Sequence, residues 1–181
     1  MLIRADKSVL LIVDVQDKLA TLIHEPRRLV ENCVWLVKAA QRLGIPVVAS
    51  EQYPQGLGST VLELKELIPQ DMVGAKVHFS CSAAGCLDHL PELGREQIII
   101  CGIEAHVCVL QSALDYLRTG SKVFVVSDAI SSRDPMECEL AQERMRQHGI
   151  QIVSKEMVLF EWLRLAGSPL FKEISAEFLR S

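Results

Sequence analysis

Five apolar runs punctuate the chain: Val9–Val13, Pro46–Ala49, Ile98–Cys101, Val123–Val126 and Ile150–Val153. Each is continuous rather than alternating, as expected of strands covered on both faces in a parallel sheet. A weaker run, Met72–Lys76, predicts a sixth strand. Between the runs the apolar positions switch to helical spacing. Leu29, Cys33, Leu36, Ala40 and Leu43 recur at steps of three and four, after Pro26 and before Gly44 and Pro46. Proline in the first turn and glycine past the last mark the two ends of a helix. A second helix follows Gly102, carries Leu110, Ala113, Leu114 and Leu117 on one face, and stops at Gly120. A third opens at Asp134-Pro135-Met136-Glu137, a sequence able to form a capping box, and stops at Gly149. A fourth spans about Glu156–Ala166, with Val158, Leu159, Trp162 and Leu165 as its buried stripe.

Strand and helix thus alternate, which predicts an α/β fold: a three-layer α/β/α sandwich with right-handed crossovers. No repeat or long linker divides the chain, so one domain over residues 1–181 is expected. Gln55–Thr60 is the most loop-like segment. Leu170, Phe171, Ile174 and Phe178 have helical spacing and pack either on their own domain or on a neighbouring subunit.

Composition narrows the function. The hydrophobic share is 49% and the aromatic share 5%, so the core is built from Val, Ile, Leu and Ala. A net charge of −4 without a basic tract disfavours nucleic acid as a partner. Val9–Val13 ends at Asp14, too short for a signal-peptide core or a membrane span. A soluble cytoplasmic protein with no membrane partner is expected, and its six cysteines are read as reduced thiols.

In open α/β sheets ligands bind beyond the carboxyl ends of the strands. Asp14 and Gln16 follow the first run, and Glu51, Gln52 and Tyr53 the second. Lys76 closes the weak third run. Glu104, His106 and Cys108 follow the next, and Asp128 and Ser131–Arg133 the one after. A strand-end aspartate needs a cation or donor to offset desolvation. Lys76 has the right charge, and Cys108 lies near a helix start, where a thiolate is favoured. Thiol, carboxylate and cation together make a plausible nucleophilic site. The bland alternatives are a loop-anchoring aspartate and a packing cysteine.

Four segments resemble the isochorismatase-like (cysteine hydrolase) superfamily. LIVDVQ at Leu11–Gln16 is similar to its first-strand motif, KVHFS at Lys76–Ser80 to its lysine motif, and GIEAHVCVLQSALD at Gly102–Asp115 to its nucleophile motif. DAISSR at Asp128–Arg133 is similar to the segment after its fifth strand. Order and spacing hold from about Lys7 to Leu163.

The resemblance implies a Rossmann-like, six-stranded parallel sheet in the order 3-2-1-4-5-6. It implies Asp14 as general base, Cys108 as nucleophile and Lys76 as the cation that steadies both. It further implies a cis Ile103–Glu104 peptide and an oxyanion hole made by the backbone N–H groups of Glu104 and Cys108. Gln16, Glu51, Gln52, Tyr53, Phe79, Ile103 and His106 are expected around the substrate. In the implied order Lys76 stands about two strand spacings, ~10 Å, from the first strand, so its stem must lean inward.

Ser50-Glu51-Gln52-Tyr53-Pro54 stands where nicotinamidases of the superfamily carry an Asp-x-His metal pair, so no catalytic metal and no cofactor are expected. Cys108 argues against isochorismatase activity itself, whose enzymes usually lack a cysteine there. Glu51–Gly58 looks like the YcaC-like, isochorismatase-domain branch, and family members commonly form homo-oligomers. His78, Cys81, Cys86 and His89 match no common zinc spacing. His106 reads as a pocket wall or hydrogen-bond partner, and Asp128 as a structural cap. No G-x-G-x-x-G follows a strand, which disfavours a dinucleotide enzyme. The sequence therefore points to a metal-independent cysteine hydrolase of a small amide-type C–N substrate. The rival is a catalytically idle relative that serves as a binding protein.

Overall fold

The computed structural model describes residues 1–179. All six runs become strands: β1 Ser8–Val13, β2 Val47–Gln52, β3 Val73–Lys76, β4 Gln97–Ile103, β5 Lys122–Ser131 and β6 Gln151–Val153. They form one sheet in the order β3-β2-β1-β4-β5-β6, and every pairing is parallel.

Period-two geometry divides β1 between two cores. Leu10 and Ile12 face one side, while Val9, Leu11 and Val13 face the other. The first side is covered by the helices Pro26–Arg42, Lys155–Leu163 and Pro169–Phe178. The second is covered by Leu110–Arg118 and Pro135–Gln147. All six residues of β1 are buried, which explains the unbroken apolar run. Several helices begin on polar caps. The carboxylate of Asp134 accepts from the Met136 amide at 2.9 Å, and the hydroxyl of Ser154 accepts from the Met157 amide at 3.2 Å.

Several strands outrun their apolar runs. β2 continues through Glu51 and Gln52, and β4 through Gly102 and Ile103, because backbone pairing does not need apolar side chains. β5 extends furthest. Its register with β4 shifts between Ile100 and Gly102, so Asp128 lies within the strand rather than beyond it. Gln55–Thr60 is partly helical, over Pro54–Leu57. The fourth predicted helix ends at Leu163. Arg164 then takes a left-handed conformation (φ 64°), and Leu165, expected in the buried stripe, is 69% exposed. The terminal helix packs on its own chain: Ile174 and Phe178 are buried, and the Phe178 ring meets Trp35 edge-on at 5.4 Å. Among the described residues no helix is long and apolar enough to cross a membrane.

Candidate active site

The central strands β1 and β4 lie side by side although β2 and β3 separate them in sequence, and the chain leaves them toward opposite flanks. Such a switch point opens a crevice at the strands' carboxyl ends. Asp14 sits there, one residue past β1, in the left-handed region (φ 51°) that aspartate tolerates better than most residues. Its carboxylate is fully buried. Oδ1 accepts from the Ser50 hydroxyl at 2.7 Å, and Oδ2 accepts from Lys76 Nζ at 2.7 Å.

Lys76 reaches this carboxylate from β3 by passing over β2. Its register partner on β2 is Gln52, whose Oε1 accepts from Nζ at 2.6 Å. The Gln52 amide nitrogen donates to the Val77 carbonyl at 2.9 Å, which fixes the side chain's orientation. The stem does lean inward, as the strand spacing requires. Both charged groups of the pair have no exposure at all.

Cys108 enters from β4. Gly102 has φ 120°, and a Cβ there would lie 2.1 Å from the Val13 carbonyl oxygen, so glycine lets β4 press against β1. The Ile103–Glu104 peptide is cis. The chain then enters a π-helical turn, Ala105–Val109, with the Val109 amide donating to the Glu104 carbonyl at 3.2 Å, before Leu110–Arg118 begins. Cys108 is 6% exposed, and its Sγ lies 3.8 Å from Gln52 Oε1.

Burial and neighbouring charges act on the Cys108 thiol and on Lys76. Burial pushes the Cys108 thiol well above the ordinary thiol value. The Asp14 charge adds to that, Lys76 opposes it, and a hydrogen bond with Asp14 raises it further. Burial pulls Lys76 down, but the Asp14 carboxylate and the neighbouring Cys81 and Cys108 sulfurs outweigh it, and the net shift is upward. Burial of Cys108 thus works against the thiolate that its helix-start position favours.

The expected pocket residues fall into three groups. Gln16 and Glu51 are buried and spend their polar atoms inside the fold. Gln16 donates to the Gln52 and Gly58 carbonyls at 3.0 and 2.7 Å and accepts from the Gln52 amide at 2.7 Å. Glu51 accepts from the Thr60 amide at 2.7 Å and its hydroxyl at 2.8 Å. Both brace the segment after β2 rather than face a ligand, and Ile103 is fully buried in the core. Gln52 alone touches the charged pair and the thiol. Tyr53 and Phe79 are exposed, and His106 hydrogen-bonds the Ser132 hydroxyl at 2.9 Å.

A shallow cavity of ≈ 360 Å³ opens over Lys76, lined by Pro54, Gln55, Val77 and His78 among others. A larger groove of ≈ 1070 Å³ runs between the Pro26–Arg42 helix and the Val61–Leu67 segment, but none of the trio reaches it. Volume and chemistry therefore disagree, and the buried charges are the better guide to a site.

Asp128 accepts from the Lys155 amide at 2.9 Å, a capping role. Among the described residues no group of three or more His, Cys, Asp or Glu side chains gathers as a metal would require. Ser50, absent from the sequence expectations, holds the second oxygen of Asp14; it lies on β2 in register with Val13. The Glu104 carboxylate accepts from the Arg133 amide at 3.2 Å and from its guanidinium at 3.0 Å, a tie no motif advertises.

Residues 8–157 match the isochorismatase domain. The chain belongs to the isochorismatase family. A secreted isochorismatase effector, Isc1, of Phytophthora sojae is 40% identical over 175 residues, covering 93% of this chain and 82% of that protein. The structure of MAR1 ribonuclease from Caenorhabditis elegans has a TM-score of 0.91 at 35% identity, covering 100% of this chain and 94% of that one. The ycaC gene product of Escherichia coli, an octameric hydrolase of unknown specificity, has a TM-score of 0.86 at 27% identity, covering 92% of this chain and 84% of that one. The six-stranded order observed here is the fold shared with these isochorismatase-like neighbours.

Proposed function

We propose that this isochorismatase-family protein is a metal-independent cysteine hydrolase that opens an amide-type C–N bond in a small molecule. The supporting observation is a shared neighbour: Lys76 Nζ bonds Asp14 and the Gln52 oxygen, and that same oxygen lies 3.8 Å from Cys108 Sγ.

In this reading Asp14 takes the Cys108 proton as sulfur attacks the carbonyl carbon. The developing oxyanion is held by the amides of Glu104 and Cys108; one such donor is worth roughly 2.7–4 kcal/mol. Collapse breaks the C–N bond, and Asp14 passes its proton to the departing nitrogen. A thioester remains on Cys108. Water, activated by Asp14, attacks it and releases the acid and the thiol. Lys76 stays charged throughout. It balances the carboxylate and limits its motion, while Gln52 limits the motion of Lys76.

The E. coli neighbour's hydrolase description and octameric assembly favour a hydrolase that forms a homo-oligomer. Six free cysteines fit a reducing compartment such as the cytoplasm. The ribonuclease name of the nematode neighbour belongs to that protein; a net charge of −4 disfavours RNA here. The idle-scaffold alternative draws on the 6% exposure of Cys108.

A panel of small amides and ureides, with an RNA oligonucleotide as a further arm, tests the reading. Expected is turnover of an amide or ureide, with an acyl mass increment on the Cys108 peptide, both lost in Cys108→Ser. Turnover that survives in Cys108→Ser, or cleavage of RNA alone, refutes it.

A further inference from the structure

A second pair of sulfurs lies between β3 and β4. Cys81 begins a single helical turn, Cys81–Ala84, capped by the Ser80 hydroxyl and closed by Gly85 in the left-handed conformation (φ 59°). That reversal brings Cys86 back. Its Sγ lies 3.8 Å from the Cys81 carbonyl, so the second thiol folds back onto the first residue of the turn. Cys81 is fully buried, whereas Cys86 is partly exposed and so within reach of a solute. Cys33 and Cys101 also neighbour each other, but both are sealed in the core.

The turn touches both arms of the candidate active site. The Cys81 amide donates to the Ser112 hydroxyl at 2.9 Å, on the helix that starts two residues after Cys108. At the other end the Cys86 carbonyl lies on Gly74 of β3, where an added Cβ would come within 2.4 Å of its oxygen; Lys76 is two residues further along that strand. The segment from Cys81 to Cys86 is thus a strut between the strand that carries Lys76 and the helix beside Cys108. Drawing its two sulfurs to bonding distance pulls on both ends, because a disulfide tolerates a narrow geometry.

We propose that Cys81 and Cys86 are an oxidisable dithiol whose disulfide displaces Lys76 relative to Cys108 and slows the reaction of Cys108. The regulatory part rests on Cys108 being the nucleophile; formation of the disulfide does not. The oxidant is a low-molecular-weight disulfide. The Cys86 sulfur attacks one of its sulfurs, breaking that S–S bond and expelling one thiolate. The Cys81 sulfur then attacks Cys86, forming the internal bond and expelling the second thiolate. The two thiol protons leave on the two released thiols. The protein loses two electrons and the reagent gains them.

The test uses the full chain incubated with glutathione disulfide. The expected product is a protein lighter by two hydrogens, with one peptide pair linked through Cys81 and Cys86 and fully restored by dithiothreitol. Alkylation of Cys108 by iodoacetamide should slow roughly tenfold in the oxidised form, since a misplacement of ~1 Å at a site can cost about a hundredfold. Cys86→Ser should form no such link and should keep its Cys108 rate with or without the oxidant. Cys86→Ala serves if the serine variant is unstable. A lasting glutathione adduct on Cys86, or a disulfide through Cys108, overturns the dithiol. A Cys81–Cys86 disulfide with an unchanged Cys108 rate overturns the regulation. Absence of turnover in both redox states, with the disulfide formed, counts against the hydrolase reading alone.

Discussion

Lys76→Met keeps the stem that crosses β2 and removes the charge at its end. The Asp14 carboxylate would then be buried with the Ser50 hydroxyl at 2.7 Å and no cation. Removing one partner of a buried pair costs about 3–5 kcal/mol, against ~5–15 kcal/mol for the whole stability of a domain. An exposed pair would cost at most ~1 kcal/mol, and here both charged groups have zero exposure. The second step is Asp14→Asn, which keeps a side chain suited to the left-handed backbone at φ 51° and removes the other charge. The double variant should recover most of the loss, with a coupling energy of at least ~2 kcal/mol in the cycle. The assay is equilibrium urea unfolding at pH 7, followed by the fluorescence of Trp35 and Trp162 and read at constant m value. A single-variant loss below ~1 kcal/mol, or losses that add within ~0.5 kcal/mol, would refute the buried-pair reasoning.

Further expectations follow from the same geometry. The Cys108 thiol is pushed up by burial and by Asp14, so its neutral form persists at and above the ordinary thiol value. Its iodoacetamide labelling rate should therefore climb about tenfold per pH unit through ~8.5 without levelling; a plateau there would mean a thiolate at rest. Gly102→Ala should destabilise by roughly 3 kcal/mol or more, because the added Cβ would lie 2.1 Å from the Val13 carbonyl at φ 120°. Thermal and urea unfolding measure this, and a loss under ~1 kcal/mol contradicts the contact. Glu51→Ala should strand the Thr60 amide at a cost of about 1–3 kcal/mol and speed its hydrogen exchange. Unchanged protection at Thr60 would show that Glu51 does not brace the segment.

The sheet was legible because β1 and its neighbours are buried on both faces, leaving apolar runs with sharp ends. Strand ends were less legible, since β2 and β5 keep pairing through polar residues such as Glu51 and Asp128 that the run-based reading excludes. Asp14, Lys76 and Cys108 were legible as strand-end chemistry, and the resemblance joined them. Ser50 and Gln52 needed the register: only the pairing of Ser50 with Val13, and of Gln52 with Lys76, puts them beside the charges. The proton on Cys108 was not legible either, because a helix-start position argues for a thiolate while burial, which the sequence does not quantify, argues more strongly for the thiol.

A lysine amine has three N–H bonds to give. At Lys76 two are planted, one on Asp14 and one on Gln52, and the third leg of this tripod has no partner among the described residues. The Gln52 oxygen that takes one of those bonds also lies 3.8 Å from the Cys108 sulfur, so amine and sulfur share a neighbour. The glutamine is what keeps the tripod upright. A hydrocarbon of the same length at position 52 would take away one of the amine's two side-chain acceptors and leave it Asp14.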